Sequence, residues 1–134
     1  MTTFVLDSFA LLSFFRNETG APIVEQLLNE AAADKKELFM TNINMGEVFY
    51  MAYRKGGVQK AELVWKAMQQ FPISIIEADI NLTYQAANLK ARYRLSYADA
   101  FAAALTINKK AVLLTGDYEF DNLKTEANFK VQYL

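Results

Sequence analysis

Asp7, Glu47, Asp99 and Asp117 are the residues of this chain best placed to do chemistry. The sequence holds neither histidine nor cysteine. Ser-His-Asp and thiol catalysis are therefore excluded, as are zinc sites built on imidazole or thiolate. What remains for catalysis is carboxylates, hydroxyls, lysines, arginines or a bound hard cation. Four carboxylates brought into one cleft of low dielectric would repel strongly, so some must take up protons or a cation must sit among them. An all-oxygen donor set selects Mg2+ or Mn2+ over zinc. Such an ion can be shared with a substrate phosphate, which makes phosphodiester hydrolysis the natural reaction class.

Taken singly, each acid also has a plain structural explanation. Asp7 can cap the helix that follows it. Asp99 fits the third position of a capping box opened by Ser96. Asp117 after Gly116 suits a turn, and Glu47 suits a solvated helix face. These explanations do not say why two strand ends and a helix start should carry acids in a topology that brings such ends together.

The elements that would position the acids follow from the pattern of apolar residues. Thr3–Leu6 is a short apolar run without alternation, as expected of a strand buried on both faces. Asp7 then stands where that strand leaves the sheet, and in open α/β sheets ligands bind beyond the carboxyl ends of the strands. A short helix from Phe9 is broken at Asn17–Gly20. Pro22 then starts a helix with a core stripe of Ile23, Leu27, Leu28 and Ala31. Leu38–Thr41 reads as a second strand. The next helix, from about Asn42 to Arg54, buries Met45, Val48, Phe49 and Ala52, with Ile43, Glu47, Tyr50 and Arg54 on an adjoining face. Gly56-Gly57 is expected to end it, and a further helix through Leu63, Val64, Ala67 and Met68 to run up to Pro72. Ile73–Ile76 is a third strand. Asp79 caps a helix that carries Leu82, Ala86, Leu89 and Tyr93, and Asp99 opens another made largely of alanine. Ala111–Leu114 is a fourth strand, ended by Thr115-Gly116-Asp117, and a final strand lies near Phe129–Val131. Strands alternating with helices imply βαβ units, a parallel sheet and a three-layer α/β/α sandwich, with residues 1–134 forming one domain.

Composition agrees with a globular protein, at 53% hydrophobic and 22% charged residues. No apolar run reaches the length of a membrane span, and the first residues lack the basic stretch and cleavage site of a signal peptide. With no cysteine, a reducing compartment such as the cytoplasm is expected. The net charge of −1 is unevenly spread: residues 54–110 carry nine Lys and Arg against four Asp and Glu. That excess, which includes Arg54, Lys55, Lys90, Arg92 and Arg94, can hold phosphates or simply solvate helix faces.

Four segments, Val5-Leu6-Asp7-Ser8, Asn44–Val48, Tyr97–Ala100 and Leu114–Phe120, resemble the signature segments of the PIN-domain family in order and spacing. The last has the form T-x-D-x-x-F around Thr115, Asp117 and Phe120. The likeness is greatest to the VapC-type toxins of bacterial toxin–antitoxin pairs. It implies a parallel five-stranded sheet and a Mg2+- or Mn2+-dependent endoribonuclease. Asp7, Asp99 and Asp117 would match the metal-binding aspartates and Glu47 the acidic helix residue. Ser8 and Thr115 would match hydroxyls that orient the acids or a water. Arg54 or Lys55 is a candidate contact to the RNA backbone, and Asp121 a candidate fifth acid. The resemblance further implies a homodimer and a cognate antitoxin protein as partner, which the abundant Phe, Tyr and Met would suit. Phe9 departs from the family's pattern, since many members carry a second small residue there.

Two other functional classes compete. One is a non-catalytic module of the same fold that binds protein or RNA, which would have no need to crowd acids. The other is an Asp-centred phosphatase or phosphoaspartate receiver, whose paired acids after the first strand are absent here, where Ser8 and Phe9 follow Asp7.

Overall fold

A computed structural model describes all of residues 1–134. Five strands form one parallel sheet: β1 (Thr2–Leu6), β2 (Lys36–Thr41), β3 (Ser74–Ile76), β4 (Val112–Thr115) and β5 (Val131–Tyr133). Their spatial order is β3-β2-β1-β4-β5. The chain builds outward from β1 to β3 and then returns to the other side of β1. The switch point therefore lies between β1 and β4, where Leu6 pairs with Leu114. This is the crevice where open α/β sheets bind ligands.

Helices α1 (Ser8–Phe15), α2 (Ala21–Ala32) and α3 (Asn42–Gln70) pack on one face of the sheet. Helices α4 (Ile80–Arg92) and α5 (Tyr97–Asn108) cover the other. Strand residues sort by the two-residue pleat. Phe4, Leu6, Leu38, Met40 and Leu114 point to the first core, and Val5, Phe39 and Leu113 to the second. Both faces being covered explains why β1 is apolar at successive positions, with Phe4, Val5 and Leu6 all buried. The expected three-layer α/β/α sandwich with a parallel five-stranded sheet is the fold observed.

The structure bears out the sequence reading at one glycine pair and corrects it at three other places. Gly56-Gly57 interrupts the helix as expected: the backbone of Gly57 is non-helical, with a φ of 87° that suits a residue without Cβ, and α3 is two helical stretches joined across that kink, the second running to Gln70. On α2 the core position is Val24 rather than Ile23, which is 36% exposed. On the far half of α3, Ala61 is buried and Leu63 stands 67% exposed, because the bend resets the helix face that meets the sheet. Strand β5 lies two residues later than expected. Phe129 stacks on Phe120 at 6.1 Å instead of joining the ladder, and pairing begins beyond it.

Candidate metal centre at the carboxyl ends of the strands

Asp7 follows β1 directly and is 1% exposed. Its two oxygens have separate partners. Oδ1 accepts from the backbone N–H of Ala10 at 2.9 Å and caps α1. Oδ2 accepts from the hydroxyl of Thr115, the last residue of β4. That hydroxyl also accepts from the backbone N–H of Asp117 at 3.0 Å. A single threonine thus joins the ends of two neighbouring strands and the acid that follows each.

Asp117 in turn caps the 3-10 turn Tyr118–Leu123 by accepting from the Glu119 N–H at 2.9 Å. Ser8 donates its hydroxyl to Oε1 of Glu47, tying the first turn of α1 to α3. On α5, Ser96 accepts from the Asp99 N–H at 3.1 Å, the first half of a capping box. The other half is not made. The Asp99 carboxylate forms no bond back to Ser96 and lies with carboxylate oxygens of Asp117 and Glu119, all within 4.8 Å of one another. The cap and turn explanations are therefore correct for Asp7 and Asp117; Asp117 still joins the gathered oxygens, whereas Asp7, with both oxygens bonded, and Glu47 stand outside that group and reach it through their charge.

Burial decides the electrostatics. The fold pushes the Asp7 carboxyl up to about 7, mainly because it is stripped of water; the bonds from Thr115 and Ala10 oppose this, and the charges of Asp117 and Glu47 add to it. Asp99 is pushed up to about 8 by burial and then by the charges of Asp117, Asp7 and Glu47. The charges of Asp117 and Glu47 thus reach both buried aspartates. No lysine or arginine pairs with any of them, since the molecule's one ion pair is Arg92 with Glu126 on the far side of α4. A crowd of carboxylates with no basic partner, held on rigid strand ends and helix starts, has the donor chemistry for a hard divalent cation.

Two residues escaped the sequence reading. Glu119 joins the cluster from the 3-10 turn, whereas Asp121, the fifth acid considered, accepts from the Tyr133 hydroxyl at 2.5 Å and is exposed. The signal lay in the T-x-D-x-x-F segment, where a tight turn returns the residue two after Asp117 toward the same side. Asn44 is fully buried. Its backbone N–H and side-chain oxygen both bond the Thr41 hydroxyl, and its amide donates to the Ala98 carbonyl at 3.2 Å. Asn44 therefore fixes the start of α3 against the start of α5, one residue before Asp99. Arg54 rests on the Tyr50 ring, 4.9 Å from its centroid, along the helix that carries Glu47. Lys55 faces elsewhere, lining a cleft with Leu12, Phe15 and Lys60.

The family model for the PIN domain matches residues 4–126. Among solved structures, the DNA-bound VapBC of Salmonella typhimurium is similar with a TM-score of 0.75 at 14% identity, covering 99% of this chain and 98% of that one. VapBC2 of Rickettsia felis, bound to a DNA fragment from its promoter, gives 0.74 at 14% identity over 98% of each chain. VapC20 of Mycobacterium tuberculosis, described as a sarcin-ricin loop cleaving toxin, gives 0.72 at 17% identity over 92% of this chain and 95% of that one. No curated protein matches the sequence.

Proposed function

This chain belongs to the PIN-domain family, and on that premise we propose that it is a Mg2+- or Mn2+-dependent endoribonuclease, the toxin of a toxin–antitoxin pair. The observation that carries the reading is the set Asp7, Glu47, Asp99 and Asp117, two of its members with carboxyls raised to about 7 and about 8, gathered without a basic partner. Asp7, Asp99 and Asp117 are the residues assigned to hold the cation, with Glu119 beside them. When bound, a divalent ion there supplies positive charge against phosphate oxygens and makes water more acidic.

The chain's own residues do the rest. Thr115 fixes the Asp7 oxygen that is not used for capping, so that its lone pairs keep one direction. Ser8 fixes Glu47 in the same way, leaving Oε2 of Glu47 free to take a proton from an attacking water. Asn44 holds the two helix starts in register. VapBC proteins are described as toxin–antitoxin systems, and by analogy a cognate antitoxin protein is assigned to this chain; the homodimeric state is assigned on the family resemblance alone. No helix is long and apolar enough to cross a membrane.

Cleavage of a structured RNA by the purified protein tests the reading. Internal cuts that need Mg2+ or Mn2+ and stop on addition of EDTA are expected. An intact RNA at every metal concentration would overturn it.

A further inference from the structure

The acidic cluster poses a binding problem that its own residues cannot solve. No lysine or arginine forms an ion pair with its acids, so the carboxylates themselves repel a polyanion and charge pairing at the acids is left to the cation. Affinity beside the acids then calls for contacts indifferent to charge.

Each of the three aspartates assigned to the cation has an exposed aromatic ring within two residues in sequence. Phe9 follows Asp7 by two positions, Tyr97 precedes Asp99 by two, and Tyr118 follows Asp117 directly. They are 43%, 45% and 66% exposed. Burial does not explain rings so placed, yet none is loose. The Phe9 ring lies against the α-carbon of Gly116, so close that a Cβ there would stand 2.2 Å from Cε1. Tyr97 packs on Phe101 with centroids 5.0 Å apart. Tyr118 stacks on Tyr133 at 4.6 Å with an interplanar angle of 25°, and the Tyr133 hydroxyl is itself tied to Asp121. Each ring is thus held from one side and open on another. The departure of Phe9 from the family pattern has its counterpart in Gly116, which makes room for the ring at the mouth of the site.

We propose that Phe9, Tyr97 and Tyr118 are base-stacking residues that hold unpaired nucleotides on either side of the phosphate to be cut. The inference rests on the nuclease reading and adds to it how the substrate is gripped. Stacking on a pre-positioned ring is tolerant of base identity, needs no charge, and requires bases that are out of a duplex. The rim therefore binds RNA single strands or loops. It positions the backbone over the acids without contributing to the chemical step.

The test uses the full chain, a short unstructured RNA of mixed sequence, and the same backbone with its bases removed. Cleavage in Mn2+ gives kcat and KM, and fluorescence anisotropy with Ca2+ in place of Mn2+ gives binding. Tyr118→Ala is expected to raise KM and weaken binding by roughly five- to a hundred-fold while kcat stays within about twofold, and Tyr118→Phe to restore both. Phe9→Ala should behave likewise, with Phe9→Tyr as its rescue. Removing the bases should weaken binding to the wild type more than to either alanine variant. Equal losses in wild type and variants, unchanged KM in the Ala variants, or a fall in kcat alone would overturn the proposal. A wild type that cuts no RNA would sink the nuclease reading, and the anisotropy arm would still decide the stacking role by itself.

Discussion

The Thr115 hydroxyl donates to Oδ2 of Asp7 across 108 positions of sequence, at the point where β1 and β4 leave the sheet side by side. The same oxygen accepts from the Asp117 N–H, so one side chain sets the direction of one acid and the backbone of another. Thr115→Val keeps the shape and removes both bonds. A hydrogen bond to a charged group contributes about 1.5–3 kcal/mol. The variant should therefore lose roughly ten- to a hundred-fold in kcat, while Thr115→Ser keeps most of it. Steady-state cleavage at saturating Mn2+ reads the difference.

Burial of Asp7 and Asp99 also sets a pH dependence of stability. In the unfolded chain both carboxyls ionise near 4, and in the fold at about 7 and about 8. Between those limits the folded protein holds more protons than the unfolded one, so stability falls as pH rises from about 4 toward 8. Thermal denaturation of the metal-free protein should show a lower Tm at pH 8 than at pH 5. Added Mn2+ should raise Tm more at pH 8 than at pH 5, since it binds the ionised acids. Asp7→Asn keeps an oxygen for the Ala10 N–H and removes the buried charge. That variant should melt higher than wild type without metal, with a flatter pH profile.

Arg54 offers a backbone contact away from the acids. Its guanidinium is held over Tyr50, on the face of α3 that also presents Glu47. Arg54→Ala should weaken RNA binding alike for all sequences and lower the slope of log K against log salt by about one. Lys55→Ala, in the cleft beside Phe15, should change the slope less. Binding measured over a salt series separates the two.

The layers and the order of elements were readable because they depend on local pattern. A run such as Phe4-Val5-Leu6 announces a strand covered on both faces, and an acid at its end announces the edge of the sheet. The positions of Asp7 and Asp117 at strand ends were readable this way, and Ser96 was recognisable as the cap of the helix that Asp99 opens. What escaped depends on contacts distant in sequence. The role of Asn44 needs Ala98, 54 positions away. The tolerance of Phe9 needs a glycine at 116. Glu119 needs the return of a 3-10 turn that no periodicity reveals. Gly57 reads locally as a stop and is one, but the direct restart of the helix beyond it, with Ala61, Val64 and Met68 turned to the core, is set by tertiary packing. Phe129 has strand propensity, yet Phe120 holds it in the core.

The central claim, that these acids hold a divalent cation that serves RNA cleavage, is tested most directly by titrating Mn2+ into wild type and Asp7→Asn by calorimetry, with RNA cleavage scored in the same samples. The account predicts Mn2+ binding and EDTA-sensitive cleavage by wild type, and loss of both in a variant that melts no lower than wild type. Equal binding by the two proteins, or no binding and no cleavage by either, would contradict it. The latter result would return the acids to caps and turns and leave a protein- or RNA-binding module on the same fold.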